Sequence, residues 1–168
     1  MQDFAGKVSV ITGAGSGFGR EFARLLAQRG GRLVLADIEE KALDEVRHEL
    51  ESQGIEVLAR RVDVANGAEV EALADAAFSR FGVVHMLFNN AGVGSGGLIW
   101  ENSIKDWEWV LGVNLWGVIH GIRSFVPRML EKMYSDPDYH GHIVNTSSVA
   151  GLLSPPNMGV YNVSKHGV

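Results

Sequence analysis

The β-rich run KVSVITG (7–13) passes straight through Gly13 into AGSGFGR (14–20), and a helical pattern begins at once. Gly13, Gly17 and Gly19 set a G-x-x-x-G-x-G spacing. A chain that leaves a strand and enters a helix within so few residues uses glycine for the tight turn and for close approach of other backbone. The helix it opens presents unpaired N–H groups and the positive end of its dipole, which together receive a pyrophosphate. Asp37 closes the next β-rich run, 18 residues after Gly19. A carboxylate there accepts hydrogen bonds from adenosine ribose hydroxyls and repels a 2′-phosphate. Ser16, not a cation, precedes Gly17, so the pattern favours NAD over NADP. Taken alone, Asp37 reads equally well as a cap of the following helix.

The rest of the chain repeats the alternation. RLVLAD (32–37), EVLARRVD (56–63), HMLFNNAG (85–92) and HIVNTSS (142–148) are the further strand candidates. Between them Phe18, Phe22, Leu25 and Leu26, then Leu43, Val46 and Leu50, then Val70, Leu73, Ala77, Phe78 and Phe81 fall at helical spacing. Strands alternating with helices imply parallel pairing, because each return of the chain needs a crossover. The expected fold is α/β: a doubly wound, Rossmann-type parallel sheet with helices on both faces and strand order 3-2-1-4-5. It forms a single domain over 1–168. A fourth helix, 103–133, opens with Ser103 and Asp106 in capping-box spacing and carries apolar residues on most sides. One flank is expected to meet the sheet and another a neighbouring helix or a second subunit, with Pro127 kinking or ending it. YSDPDYHG (134–141) reads as a solvated loop.

Composition narrows the function classes. The 168 residues carry a net charge of −5 with no run of Lys or Arg, which argues against nucleic-acid or anionic-membrane surfaces. No cysteine is present, which excludes disulfides and thiolate chemistry, and the six histidines form no metal-ligand pattern. No apolar run has the length of a membrane span, and MQDFAGKVSVITG lacks a signal-peptide layout. The expectation is a cytoplasmic protein with no metal.

Tyr161 precedes Lys165 by four residues, one helical turn, so phenol and ammonium share a face. An ordinary phenol, with a pKa of about 10, is too protonated at neutral pH to remove an alcohol proton, and an adjacent cation favours the phenolate. Ser148 lies 13 residues earlier, at the end of the fifth strand candidate, where doubly wound sheets bind ligands. By itself Ser148 could simply cap that strand.

Together TGAGSGFG, NNAG, the Asn114 of VNLWG, SSVAG and YNVSK resemble the short-chain dehydrogenase/reductase family, in the family's order and over nearly the whole chain. The resemblance implies an NAD-dependent oxidoreductase interconverting a secondary alcohol and a ketone by hydride transfer. Tyr161 is then the general acid/base, Lys165 favours its phenolate and holds the nicotinamide ribose, and Ser148 steadies the substrate oxygen. Asn114 holds a water that connects Lys165 to solvent. Asn90, Ala91 and Gly92 border the cofactor, Asp63 and Val64 meet its adenine, and Gly13, Ser16, Gly17, Phe18 and Gly19 surround its phosphates. Partners are a small-molecule alcohol or ketone and further copies of the chain, as a homodimer or homotetramer through the 103–133 helix and the Tyr/Lys helix.

Rival readings of the same residues are a catalytically silent dinucleotide-binding or oligomerisation module, and an epimerase or dehydratase. Intact Tyr161, Lys165, Ser148 and Asn114 favour the oxidoreductase over the first. The glycine spacing counts against the second. Asn114 also reads as a structural amide, and the amides of NNAG as ties between strands. Trp100 is the tryptophan expected nearest a substrate. Relatives of this kind continue into two further strands, making seven, and a substrate-covering segment. The 168-residue chain alone is therefore expected to leave its fifth strand as an open edge, to bind NAD weakly and to turn over little.

Overall fold

The computed structural model describes residues 4–168; the first three residues of the amino-terminal stretch lie outside the description. Five parallel strands, β1 (Val8–Thr12), β2 (Arg32–Asp37), β3 (Val57–Arg61), β4 (Met86–Asn89) and β5 (His142–Asn145), form one sheet in the order β3-β2-β1-β4-β5. The helices are α1 (Gly17–Gln28), α2 (Glu40–Glu51), α3 (Gly67–Phe81), α4 (Ile104–Leu111), α5 (Gly117–Ser135) and α6 (Gly159–Gly167). This is the doubly wound, Rossmann-like architecture the alternation implied.

Strand periodicity divides the core in two. Val8 and Val10 of β1 join Val34 and Leu87 on one face, where Val70, Leu73 and Ala77 of α3 and Phe125 of α5 cover them. Ile11, Leu33, Leu35 and Phe88 point the other way, onto Ala23 and Leu26 of α1 and Leu43, Val46 and Leu50 of α2. Arg20 and Arg24 of α1 reach Glu49 of α2 at 2.9 and 2.6 Å, tying the two helices outside the core. The central strands are buried, and β5, the sheet edge, is exposed along its length.

Several expectations are corrected. Phe18 and Leu25 are 72% and 54% exposed, so they do not belong to the buried stripe of α1. The stripe narrows because α1 meets the sheet along one line only, and Phe18 stands at its crevice end. The 103–133 segment is not one regular helix. The capping box forms, with the Asp106 N–H donating to Ser103 Oγ and the Ser103 N–H to Asp106 Oδ2. After α4, a single π-helical turn, Gly112–Trp116, precedes α5, which runs past Pro127 to Ser135. Val118, Phe125 and Met129 are buried, whereas Trp109, Trp116 and Ile122 are exposed. The strand candidates ending at Asp63 and Ser148 stop earlier, at Arg61 and Asn145.

The 134–141 loop is anchored as well as solvated. Tyr139 is 5% exposed, its hydroxyl donates to Val84 O, and its ring meets His85 at 5.6 Å. The Val8 N–H donates to His85 Nδ1 at 3.0 Å, so the imidazole serves as a neutral acceptor. Burial first, then Lys7, Arg32 and Lys132, push the His85 pKa down to about 4. The unfolded chain, with an ordinary histidine at about 6.5, takes up its proton first as the pH falls. Stability is therefore expected to decline between about pH 6.5 and 4, by about 2 kcal/mol from this group after allowance for its partial exposure. Urea unfolding at pH 7 and 4.5 checks this; equal slopes for wild type and His85→Gln over that interval would refute it.

Among the described residues no helix is long and apolar enough to cross a membrane.

Candidate active site

The sheet's carboxyl ends open onto a crevice of about 1010 Å³ where the order of strand addition reverses, between β1 and β4. Gly13, Ser16, Gly17, Phe18, Asp37, Asp63, Val64, Asn90, Ala91, Gly92, Ser148, Tyr161 and Lys165 all line it. Of the residues singled out in the sequence, Gly19 and Asn114 lie behind its wall.

The glycine turn fits tightly against the β4 end. Gly13 has φ +66°, and a Cβ there would sit 2.8 Å from Ala91 Cα. A Cβ on Gly19 would lie 2.0 Å from the Gly13 carbonyl oxygen. Ser16 begins α1 without a side-chain cap, leaving first-turn N–H groups of α1 to an outside acceptor. Asp37 braces the turn: the Gly15 N–H donates to Oδ2 at 2.8 Å, and the Glu39 N–H to Oδ1 at 3.0 Å. The carboxylate thus lines the crevice and holds the glycine loop, while α2 itself begins after Glu39 without a side-chain cap. Beyond β3, the Ala65 N–H donates to Asp63 Oδ1, and Val64 packs against Gly117.

The NNAG amides do tie strands together. Asn89 Nδ2 donates to Asn145 Oδ1 across β4 and β5. Asn90 Nδ2 donates to Thr12 O, and Asn90 Oδ1 accepts from Thr146 Oγ1. At the centre is Thr12, which sequence reasoning missed. Its hydroxyl accepts the N–H groups of Asn90 and Ala91 at 3.0 and 3.1 Å and donates to Phe88 O. A hydroxyl at the last position of a buried strand, just before the glycine turn, was the available signal.

On the far side, α6 presents Tyr161 and Lys165 to the crevice. Lys165 is 5% exposed; its Nζ donates to Thr146 O at 2.8 Å and stands 5.8 Å from the centre of the Tyr161 ring. Burial pushes the Lys165 amine below its ordinary pKa. Ser148 lies three residues beyond β5, at the start of a 3-10 turn (Val149–Gly151), where its Oγ accepts the Ala150 N–H. That leaves its own O–H to donate. Asn114, fully buried in the π turn, gives both amide hydrogens to Val93 O and Ser164 Oγ, and its Oδ1 accepts the Val93 N–H at 2.8 Å. Ser164 was not recognised in the sequence either. A Cβ on Gly92 would stand 3.3 Å from Asn114 Oδ1 and 3.5 Å from Lys165 Nζ, so all three converge at one point. Trp100, 75% exposed, does not line the crevice; Trp109 does.

The sequence profile described as short chain dehydrogenase matches residues 7–168. The crystal structure of a short chain dehydrogenase/reductase from Burkholderia phymatum in complex with NAD superposes with a TM-score of 0.94 at 59% identity, over 99% of this chain and 58% of that one. Cyclohexanol dehydrogenase of Acinetobacter sp. (strain SE19) is 39% identical over 98% of this chain and 64% of its own length. The CLA biosynthesis dehydrogenase/reductase of Lactiplantibacillus plantarum is 38% identical over 98% of this chain and 56% of its own. The chain thus spans about three fifths of the length of the curated relatives it matches.

Proposed function

Because the chain belongs to the short chain dehydrogenase family, we propose that it forms the dinucleotide-binding and catalytic part of an NAD-dependent oxidoreductase that interconverts a secondary alcohol and a ketone. The observation that carries this reading is the convergence of Asp37, the open N-terminus of α1, Ser148, Tyr161 and Lys165 on one crevice. The residues fit a dinucleotide. The Gly13–Gly19 turn has no room for side chains where it meets Ala91, and the first-turn donors of α1 lack a cap. Asp37 suits the free ribose hydroxyls of NAD and would repel a 2′-phosphate.

When bound, NAD supplies the acceptor for the hydride released from the alcohol carbon. The protein's own residues hold and move the proton. Ser148 donates to the substrate oxygen, Tyr161 takes the hydroxyl proton during oxidation and returns it during reduction, and Lys165 keeps positive charge beside the phenol. Asn114 is a positioning residue in this scheme: it fixes the Val93 backbone and Ser164 around the Gly92 point, where a water would connect Lys165 to solvent. The exposed Trp116 and Ile122 support a homo-oligomer formed through this helical face and α6. Absence of cysteine suits a cytoplasmic setting.

Titration calorimetry with NAD and NADP, followed by absorbance at the NADH band with secondary alcohols, tests the proposal. The expected result is at least about tenfold tighter NAD than NADP binding, reversed in direction by Asp37→Arg. Absence of NAD binding at millimolar concentration would end the reading.

A further inference from the structure

Charge is distributed unevenly along the crevice. Asp37, Glu39 and Asp63 stand at the end assigned to adenosine. The segments that surround Tyr161 carry none: Gly92–Trp100 and Asn145–Ser164 contain no Asp, Glu, Lys, Arg or His. The single cation there, Lys165, is buried and bonded to Thr146 O. Val93, Val149, Ala150, Pro155 and Met158 form the walls. The two segments are held together: the Gly97 N–H donates to Asn157 O at 2.9 Å, and a Cβ on Gly159 would lie 2.7 Å from Ile99 Cγ1. Val149, which lines the crevice, is 64% exposed.

The polar groups in this half are mostly committed. Ser147 Oγ donates to Lys165 O, Thr146 Oγ1 to Asn90 Oδ1, and Asn162 Nδ2 to Pro155 O. Among the side chains that line this half of the crevice, the Ser148 O–H and the Tyr161 hydroxyl remain, enough for one oxygen. Each further hydroxyl on a bound ligand would lose water without gaining a partner, at about 1–3 kcal/mol, and a carboxylate would lose more.

We infer that the reacting substrate is an uncharged secondary alcohol or ketone whose carbinol or carbonyl oxygen is its one polar group near the reacting carbon, the remainder being aliphatic or alicyclic hydrocarbon. This rests on the dehydrogenase reading and narrows it: the walls that this chain supplies offer a hydroxy acid, a phosphorylated substrate or a polyol no second polar side chain.

The test compares kcat/KM for 2-octanol, cyclohexanol, 3-hydroxybutyrate and xylitol with NAD in the intact protein. The two hydrocarbon alcohols are expected to exceed the other two at least about a hundredfold. Val149→Asp, at an exposed position that tolerates the change in folding, is expected to raise KM for 2-octanol at least about tenfold, while Val149→Leu holds it within about threefold. Turnover of 3-hydroxybutyrate or xylitol within tenfold of 2-octanol overturns the inference and leaves the dehydrogenase reading standing. So does a KM for 2-octanol unmoved by Val149→Asp. NAD reduction with none of the four alcohols overturns both.

Discussion

Tyr161→Phe is expected to lower kcat/KM for alcohol oxidation by about a thousandfold or more in the intact protein, while NAD affinity changes by no more than about twofold. The substitution removes one oxygen and keeps the ring, so the packing of α6 and the position of the Lys165 amine 5.8 Å from the ring centre are preserved. No other group takes over. Lys165 Nζ is engaged by Thr146 O, and Ser148 accepts from Ala150 while offering a proton of its own. His166 is the nearest imidazole in sequence, but its Nδ1 is paired with Asn162 O and its side chain does not line the crevice. Retention of more than about a tenth of the wild-type rate, with an unchanged melting temperature, would remove Tyr161 from the chemistry.

Gly19→Val is expected to abolish measurable NAD binding and to destabilise the fold by about 3 kcal/mol. The added Cβ would stand 2.0 Å from the Gly13 carbonyl oxygen and 2.8 Å from Asn90 Nδ2. The first of these is backbone, with no flexible end to swing aside. Gly13 in turn lies against Ala91, so the strain passes into the β4 terminus and the Thr12 hydroxyl that gathers it. Relief requires α1 to shift off the turn, which withdraws the donors meant for a pyrophosphate. Calorimetry with NAD and urea unfolding read the two effects separately. A variant that keeps affinity within threefold and unfolds at the wild-type midpoint would contradict the close-approach argument.

The sheet order and the helices on both faces were legible because both signals are periodic and local: β-rich runs, glycine turns and apolar residues one helical turn apart. Asp37, Tyr161 and Lys165 were legible because a fixed spacing brings them to the carboxyl edge of the sheet. The residues that escaped are set by tertiary contact. Phe18 fits a helical stripe by spacing, yet the line along which α1 meets β1 and β2 leaves it outside the core. Tyr139 sits among Asp, Pro and His and reads as solvated, yet its ring finds the gap beside His85. Thr12 and Ser164 offer only hydroxyls, and a hydroxyl's partners depend on chain ends far apart in sequence. The π turn has no composition of its own, and Pro127, the residue that does signal irregularity, is accommodated within α5.

That turn absorbs an extra residue within a long helical run. It places one residue more than an α-helix would between the capped start at Ser103 and the long run to Ser135. Deleting a single residue from 112–116 would restore regular winding and leave α4 and α5 close to their present phase, because the wide turn already absorbs the extra residue. Trp109 would then keep its place on the crevice wall, while the Asn114 carboxamide would lose its alignment with Val93 and Ser164. The pitch of five residues thus aims one amide without turning the rod that carries it.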